Sequence, residues 1–180
     1  MSKINSRSKG SKNERELCKF FQDWTGYEFA RVPASGGLRW KNTQNTVGDI
    51  ICTDNFHSRR FKLTIETKFY KDINFEHFIL GNKNVKVNEF WEQAKDDGIR
   101  ANKIPIVFMR YNNMPKQTWF VMVSIELFNE VYLDLNGKFD YGRISIIDNG
   151  DPRVVFNSND LMRTNYKQIH KMVKKLLKNG

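Results

Sequence analysis

Between residues 61 and 70 the chain alternates: Phe61, Leu63, Ile65, Thr67 and Phe69 are interleaved with Lys62, Thr64, Glu66, Lys68 and Tyr70. This two-residue period predicts a β-strand that turns its apolar set to one side and its polar set to the other. Upstream, Leu17, Cys18, Phe21 and Trp24 recur at helical spacing, and Ser11 followed by Glu14 is a capping-box signature, which together predict a helix from about Asn13 to Trp24 stopped by Gly26. Short strands are expected over residues 27–32 and 47–53, separated by a polar loop that starts at Pro33. A turn over 54–58 lets the second of these join the 61–70 strand as a hairpin. Further on, Phe90, Trp91, Ala94 and Ala101 mark one face of a helix over 88–101, which leads into an apolar strand at 104–109. Strands follow at 119–125, 144–147 and 154–156, and Met162, Tyr166, Ile169, Val173 and Leu176 give a closing amphipathic helix. The pattern predicts an α/β fold, a mixed sheet flanked by helices. Without repeat, low-complexity tract or linker, residues 13–180 read as a single domain behind a polar arm, 1–12.

Composition is consistent with one core. A chain of 180 residues that is 39% hydrophobic and 13% aromatic can bury a sizeable interior. Its thirty basic and twenty acidic residues leave a formal charge of +10, which favours a polyanionic partner, nucleic acid before an anionic membrane surface. Lys3, Arg7, Lys9 and Lys12 precede the first acid, and the tail from Arg163 carries Lys167, Lys171, Lys174, Lys175 and Lys178 with none, so both ends are candidate phosphate-contacting arms or ordinary solvated ends. Cys18 and Cys52 sit in apolar runs, as suits buried thiols in a reducing compartment. No apolar stretch approaches the roughly 20 residues of a membrane span, and the first dozen residues lack a signal-peptide core. The expectation is a soluble protein of the cytoplasm, in a prokaryotic or phage-infected cell.

Glu66 and Lys68 share a strand face. A Glu-x-Lys pair alone is most often solvated; its neighbours suggest more. Asp49 lies in a segment otherwise fit for burial, where an unpaired carboxylate is costly. It is either a turn aspartate released by Gly48 or a group that needs a cation. If the two strands pair, Asp49 and Glu66 approach one another as hard oxygen donors suited to Mg²⁺ or Mn²⁺, with Lys68 beside them. Glu14, three and seven residues before Leu17 and Phe21, falls on the apolar helix face, whereas Glu16 is rotated about 200° away and is expected in solvent. Glu14 either joins the acids or caps its own helix. His57, His77 and His170 form no ligand or triad-like grouping, neither cysteine neighbours a histidine, and no phosphate-cradling glycine motif occurs.

In this order the motifs resemble the archaeal-type Holliday junction resolvases of the PD-(D/E)XK nuclease superfamily. Lys9-Gly10-Ser11 with Glu14-Arg15 resembles the opening helix motif, and Arg31-Val32-Pro33-Ala34-Ser35-Gly36 the second-strand and serine-loop motif. Gly48-Asp49-Ile50-Ile51 and Ile65-Glu66-Thr67-Lys68 resemble the metal-binding hairpin. The resemblance covers about residues 7–70, with a looser match near Gln93. Gly48 stands where the superfamily has its proline, a change expected to be tolerated because that residue shapes backbone rather than binding metal, and the loop with Arg39, Trp40 and Lys41 is longer than usual.

The resemblance implies a restriction-endonuclease-like core and Mg²⁺-dependent hydrolysis of DNA, Mn²⁺ substituting, with a 5′ phosphate and a 3′ hydroxyl as products. It makes Asp49, Glu66 and the Thr67 carbonyl metal ligands, with Glu14 completing the site directly or through water, and gives Lys68 the attacking water. Ser35 would hold a phosphate; Arg31, Lys9, Arg39 and Lys41 are further candidate DNA contacts, and Gln93 reads as a surface residue. The implied partner is a four-way junction bound by a homodimer. The alternatives are a superfamily nuclease acting on ends, flaps or duplex, and a non-catalytic DNA-binding protein.

Overall fold

The computed structural model describes residues 6–32, 47–79, 86–147 and 150–179. In chain order these form α1 (Ser6–Thr25), β1 (Phe29–Arg31), β2 (Ile50–Cys52), β3 (Leu63–Tyr70), α2 (Glu76–Ile79), α3 (Lys86–Ala101), β4 (Ile104–Tyr111), β5 (Phe120–Ser124), α4 (Ile125–Asp134), β6 (Ile144–Ile146), β7 (Arg153–Asn157), α5 (Ser158–Met162) and α6 (Tyr166–Asn179). The seven strands make one sheet in the order β1-β2-β3-β4-β5-β7-β6. Only β3 and β4 run parallel. A parallel pair requires a crossover, which α3 supplies. The sheet is therefore mixed and flanked by helices, the expected restriction-endonuclease-like arrangement.

Two apolar clusters sandwich the sheet. On one side Leu17, Phe21 and Trp24 of α1, Leu127 and Val131 of α4, and Ile169 and Val173 of α6 cover Ile65, Ile106, Phe108 and Val121. On the other, Val87, Phe90, Trp91 and Ala94 of α3 cover Val107, Met109 and Met122. The polar face expected for residues 62–70 thus lies partly beneath α3, and Thr64 and Glu66 are buried at 0% and 2% exposure.

Several boundaries differ from the sequence expectations. Helix α1 starts at Ser6 rather than about Asn13, so residues 6–12 are helical and Ser11 is no cap. The strand expected to reach 125 stops at Ser124, whose hydroxyl caps α4 by accepting from the Leu127 amide at 3.4 Å. The closing helix is two helices, α5 and α6. Glu16 is not in solvent: its carboxylate accepts from Arg110 Nη1 at 2.5 Å, with the two side chains 23% and 11% exposed. The cause is the neighbouring buried guanidinium on β4, which rotational bookkeeping along one helix does not see.

Candidate active site

The site forms where β2 separates from β3. The strands meet at Ile50 and Ile65, and continuing that antiparallel register sets Asp49 opposite Glu66. Gly48 makes the approach possible. Its φ is +93°, and a Cβ there would stand 2.6 Å from the Ile65 carbonyl oxygen. Proline, locked near −65°, cannot take this conformation, so Gly48 is a different backbone solution from the superfamily proline rather than a neutral replacement. Asp49 is then fixed on both sides: its amide donates to the Ile65 carbonyl at 2.9 Å and its carbonyl accepts from the Val32 amide at 2.9 Å.

The carboxylate of Asp49 accepts from the backbone amide of Thr67 at 2.9 Å. A strand residue's N–H and C=O point to the same edge, so the Thr67 carbonyl faces the same fork. On the face of β3 beneath α3, Glu66 Oε1 accepts from Lys68 Nζ at 2.5 Å, and Gln93 Oε1 accepts from the same ammonium at 2.8 Å. The Phe90 ring lies 5.6 Å from that nitrogen. Gln93, read from sequence as a surface residue, is exposed yet bonded to the site's lysine.

Burial dominates the electrostatics. Desolvation, followed by the nearby charge of Asp49, pushes the Glu66 carboxyl up to about 7 against the favourable bond from Lys68. Asp49 is also raised, first by desolvation, with Glu14 and Asp97 adding repulsion and the Thr67 amide and Lys68 opposing it. Two desolvated carboxyls whose proton affinity is raised, that of Glu66 in part by Asp49, beside a main-chain carbonyl form a hard oxygen set suited to a small divalent cation. The residues therefore fit such an ion.

Glu14 acts on Asp49 but is itself engaged by a cation. Its carboxylate is bound by Arg31 Nε, and Arg31 Nη2 donates to Ser11 Oγ at 3.1 Å. Among the described residues no three His, Cys, Asp or Glu side chains form a ready-made metal cluster. Helix α1 is held against the fork by Asn13, which is buried at 2% exposure. Asn13 Nδ2 donates to Thr67 Oγ1 at 2.8 Å, and its Oδ1 accepts from Trp119 Nε1 at 2.8 Å.

Sequence reasoning missed Asn13 and Asp97. Asp97 is buried one turn beyond Gln93 on α3, paired with Arg100, and close enough to raise both site acids. The four-residue spacing of Gln93 and Asp97 was the available signal.

The basic residues divide. Lys9 lies near the turn after β4, donating to Asn112 Oδ1 at 3.4 Å, and Arg31 faces Glu14. Ser35, Arg39 and Lys41 fall outside the described residues. The tail is elsewhere: Lys174 and Lys62 both act on His170, near the start of β3 and about 20 Å of strand from Lys68. Among the described residues no helix is long and apolar enough to cross a membrane.

Comparison with known proteins agrees with this geometry. Residues 5–179 match the family described as "Phage putative PDDEXK endonuclease". The chain is 26% identical over 107 residues to Protein D14 of Escherichia phage T5, an alignment covering 59% of this chain and 65% of that relative. It thus spans just under two thirds of the relative's length. No solved structure matches. A fork carrying Asp49, Glu66 and Lys68 in PD-(D/E)XK order, inside a match that runs through every strand of the sheet, leads to one conclusion: the chain belongs to the phage PDDEXK endonuclease family of metal-dependent nucleases.

Proposed function

We propose that the protein is a Mg²⁺-dependent endonuclease that hydrolyses phosphodiester bonds at branched DNA, four-way junctions foremost, and that it works as a homodimer. The hydrolytic reading rests on one observation above all: Asp49 and Glu66 meet across the β2–β3 fork with Lys68 beside them. The junction reading rests on the ordered motifs around Ser11, Glu14, Arg31 and Ser35, and the dimer on the paired cuts that resolving a junction requires.

In this reading Asp49, Glu66 and the Thr67 carbonyl hold the divalent ion, with Glu14 as a further ligand, directly or through water. The ion supplies Lewis-acid polarisation of the scissile phosphate. Asp49 is aimed by the Thr67 amide, so its orientation is set before substrate arrives. Lys68 has three N–H donors; two are taken by Glu66 and Gln93, which leaves one to orient a water or a phosphate oxygen. Gln93 keeps that ammonium from folding wholly onto Glu66. Arg31, balanced by Glu14, presents its remaining donors to phosphate.

A Lys68→Ala protein tests the substrate reading without cleavage. It is expected to bind immobile junctions of unrelated sequence with similar affinity, each better than duplex of equal length at matched salt, and more weakly as salt rises. Duplex competing as well as junction across that range, or sedimentation as a monomer both free and junction-bound, would overturn the resolvase proposal.

A further inference from the structure

Behind the catalytic lysine, on the opposite face of β3, a cavity of about 330 Å³ opens between the first turns of α1 and the β4–β5 turn. Phe69 and Met114 give it apolar lining, and Lys9, Lys12 and Lys116 stand around it. Its lining carries four cations and one carboxylate, an excess of three positive charges. The carboxylate, Glu16, is already engaged by Arg110 and lies 4.0 Å from Lys12, so the excess is left to a ligand. Phe69 is half-buried and, among the described residues, belongs to neither apolar cluster.

We infer that this cavity receives an unpaired nucleotide of the DNA strand being cut, with Phe69 as the stacking surface and the lysines on the flanking phosphates. The inference rests on the nuclease reading and narrows its substrate to DNA with a single-stranded or unstacked nucleotide beside the cut. The size suits one nucleotide. The charge selects a polyanion, and apolar lining within a basic surround is chemistry that duplex phosphates cannot use. In a duplex the base faces are stacked on one another; only an unstacked base can lay its face on Phe69. Continuity with the site is direct, because Phe69 follows Lys68 on β3 and Asn13, which also lines the cavity, is bonded to Thr67. A strand whose phosphate lies at Lys68 needs only to cross the end of β3 to reach Phe69.

The test is fluorescence anisotropy of the full chain in EDTA with three probes: an oligothymidylate of about twelve residues, a splayed-arm DNA and a blunt duplex. Phe69→Leu keeps apolar volume while removing the aromatic face. It is expected to lower affinity for the first two probes about tenfold, the loss of one stacked base, with duplex affinity within about twofold of wild type. Met114→Ala, on the turn, is expected to act the same way more weakly, and it decides the matter if circular dichroism finds Phe69→Leu unfolded. Equal losses on all three probes, or none on the single-stranded ones, would overturn the inference. Wild-type cleavage in Mg²⁺ is measured alongside. Cleavage with variant-insensitive binding sinks the pocket alone, whereas variant-sensitive binding without cleavage sinks the nuclease reading alone.

Discussion

The backbone amide of Thr67 donates to Asp49 Oδ2 at 2.9 Å, so the carboxylate that enters from β2 is aimed by the strand that carries Glu66 and Lys68. One hairpin fork therefore sets both acids and the lysine. Its charge state follows from this crowding.

Glu66 is held up to about 7 by burial and by Asp49, above the ordinary carboxylate value. A raised carboxyl contributes stability that is full below its unfolded value, near 4.3, and is lost as pH climbs toward 7. The metal-free protein should thus lose stability across that window, and Glu66→Gln should lose less, keeping only the share due to the raised Asp49. The expected gain of the variant over wild type at pH 8 is on the order of 1–3 kcal/mol, read from urea unfolding in EDTA. A difference between the two proteins that is flat from pH 5 to 8 would contradict the assignment.

Added Mg²⁺ should reverse that loss. Binding requires both carboxyls deprotonated, so the metal-induced rise in melting temperature should grow with pH over the same window. Asp49→Asn should abolish the rise. A shift independent of pH, or retained by Asp49→Asn, would place the ion elsewhere.

Glu14 and Glu16, two residues apart on α1, should fail differently. Glu16→Ala strands the buried Arg110 and is expected to cost about 2–4 kcal/mol in unfolding free energy, with cleavage per folded molecule nearly kept. Glu14→Ala leaves Arg31, which is more exposed than Arg110 and also bonded to Ser11, and should cost less stability than Glu16→Ala but remove most of the cleavage. Equal effects on both readouts would deny Glu14 a role in the site.

Restoring the superfamily proline should harm this chain. Gly48→Pro cannot reach φ +93°, and even the single Cβ of Gly48→Ala meets the Ile65 carbonyl at 2.6 Å. Gly48→Ala is expected to cost about 1–3 kcal/mol, and Gly48→Pro more, with cleavage lost in both because Asp49 moves. Wild-type melting and cleavage in Gly48→Pro would show that the fork has another backbone solution.

Much of this was legible in the sequence for identifiable reasons. The alternation from Phe61 to Phe69 marks β3 because the side-chain period of a strand is two, and Phe90, Trp91 and Ala94 mark the buried stripe of α3 by the helical period. Asp49 was conspicuous as an acid in an apolar run. What escaped depends on partners distant in the chain. Glu16 is drawn inward by Arg110, and Gln93, though exposed, is bonded to Lys68; no local period encodes either. Helix α4 hid behind the apolar run of β5: Leu127, Phe128 and Val131 do carry helical spacing, but the break at Ser124 is a single capping residue. The early start of α1 follows a polar stretch whose propensity alone is weak.

The most direct measurement is cleavage of a fixed four-way junction and its separate linear arms by the purified full chain, with and without Mg²⁺, beside Asp49→Asn. The account predicts cutting only with the metal, preferentially at the junction. It also predicts an Asp49→Asn protein that still binds the DNA yet cuts at less than about a hundredth of the wild-type rate. Cutting that persists in EDTA, or that Asp49→Asn retains, would contradict it.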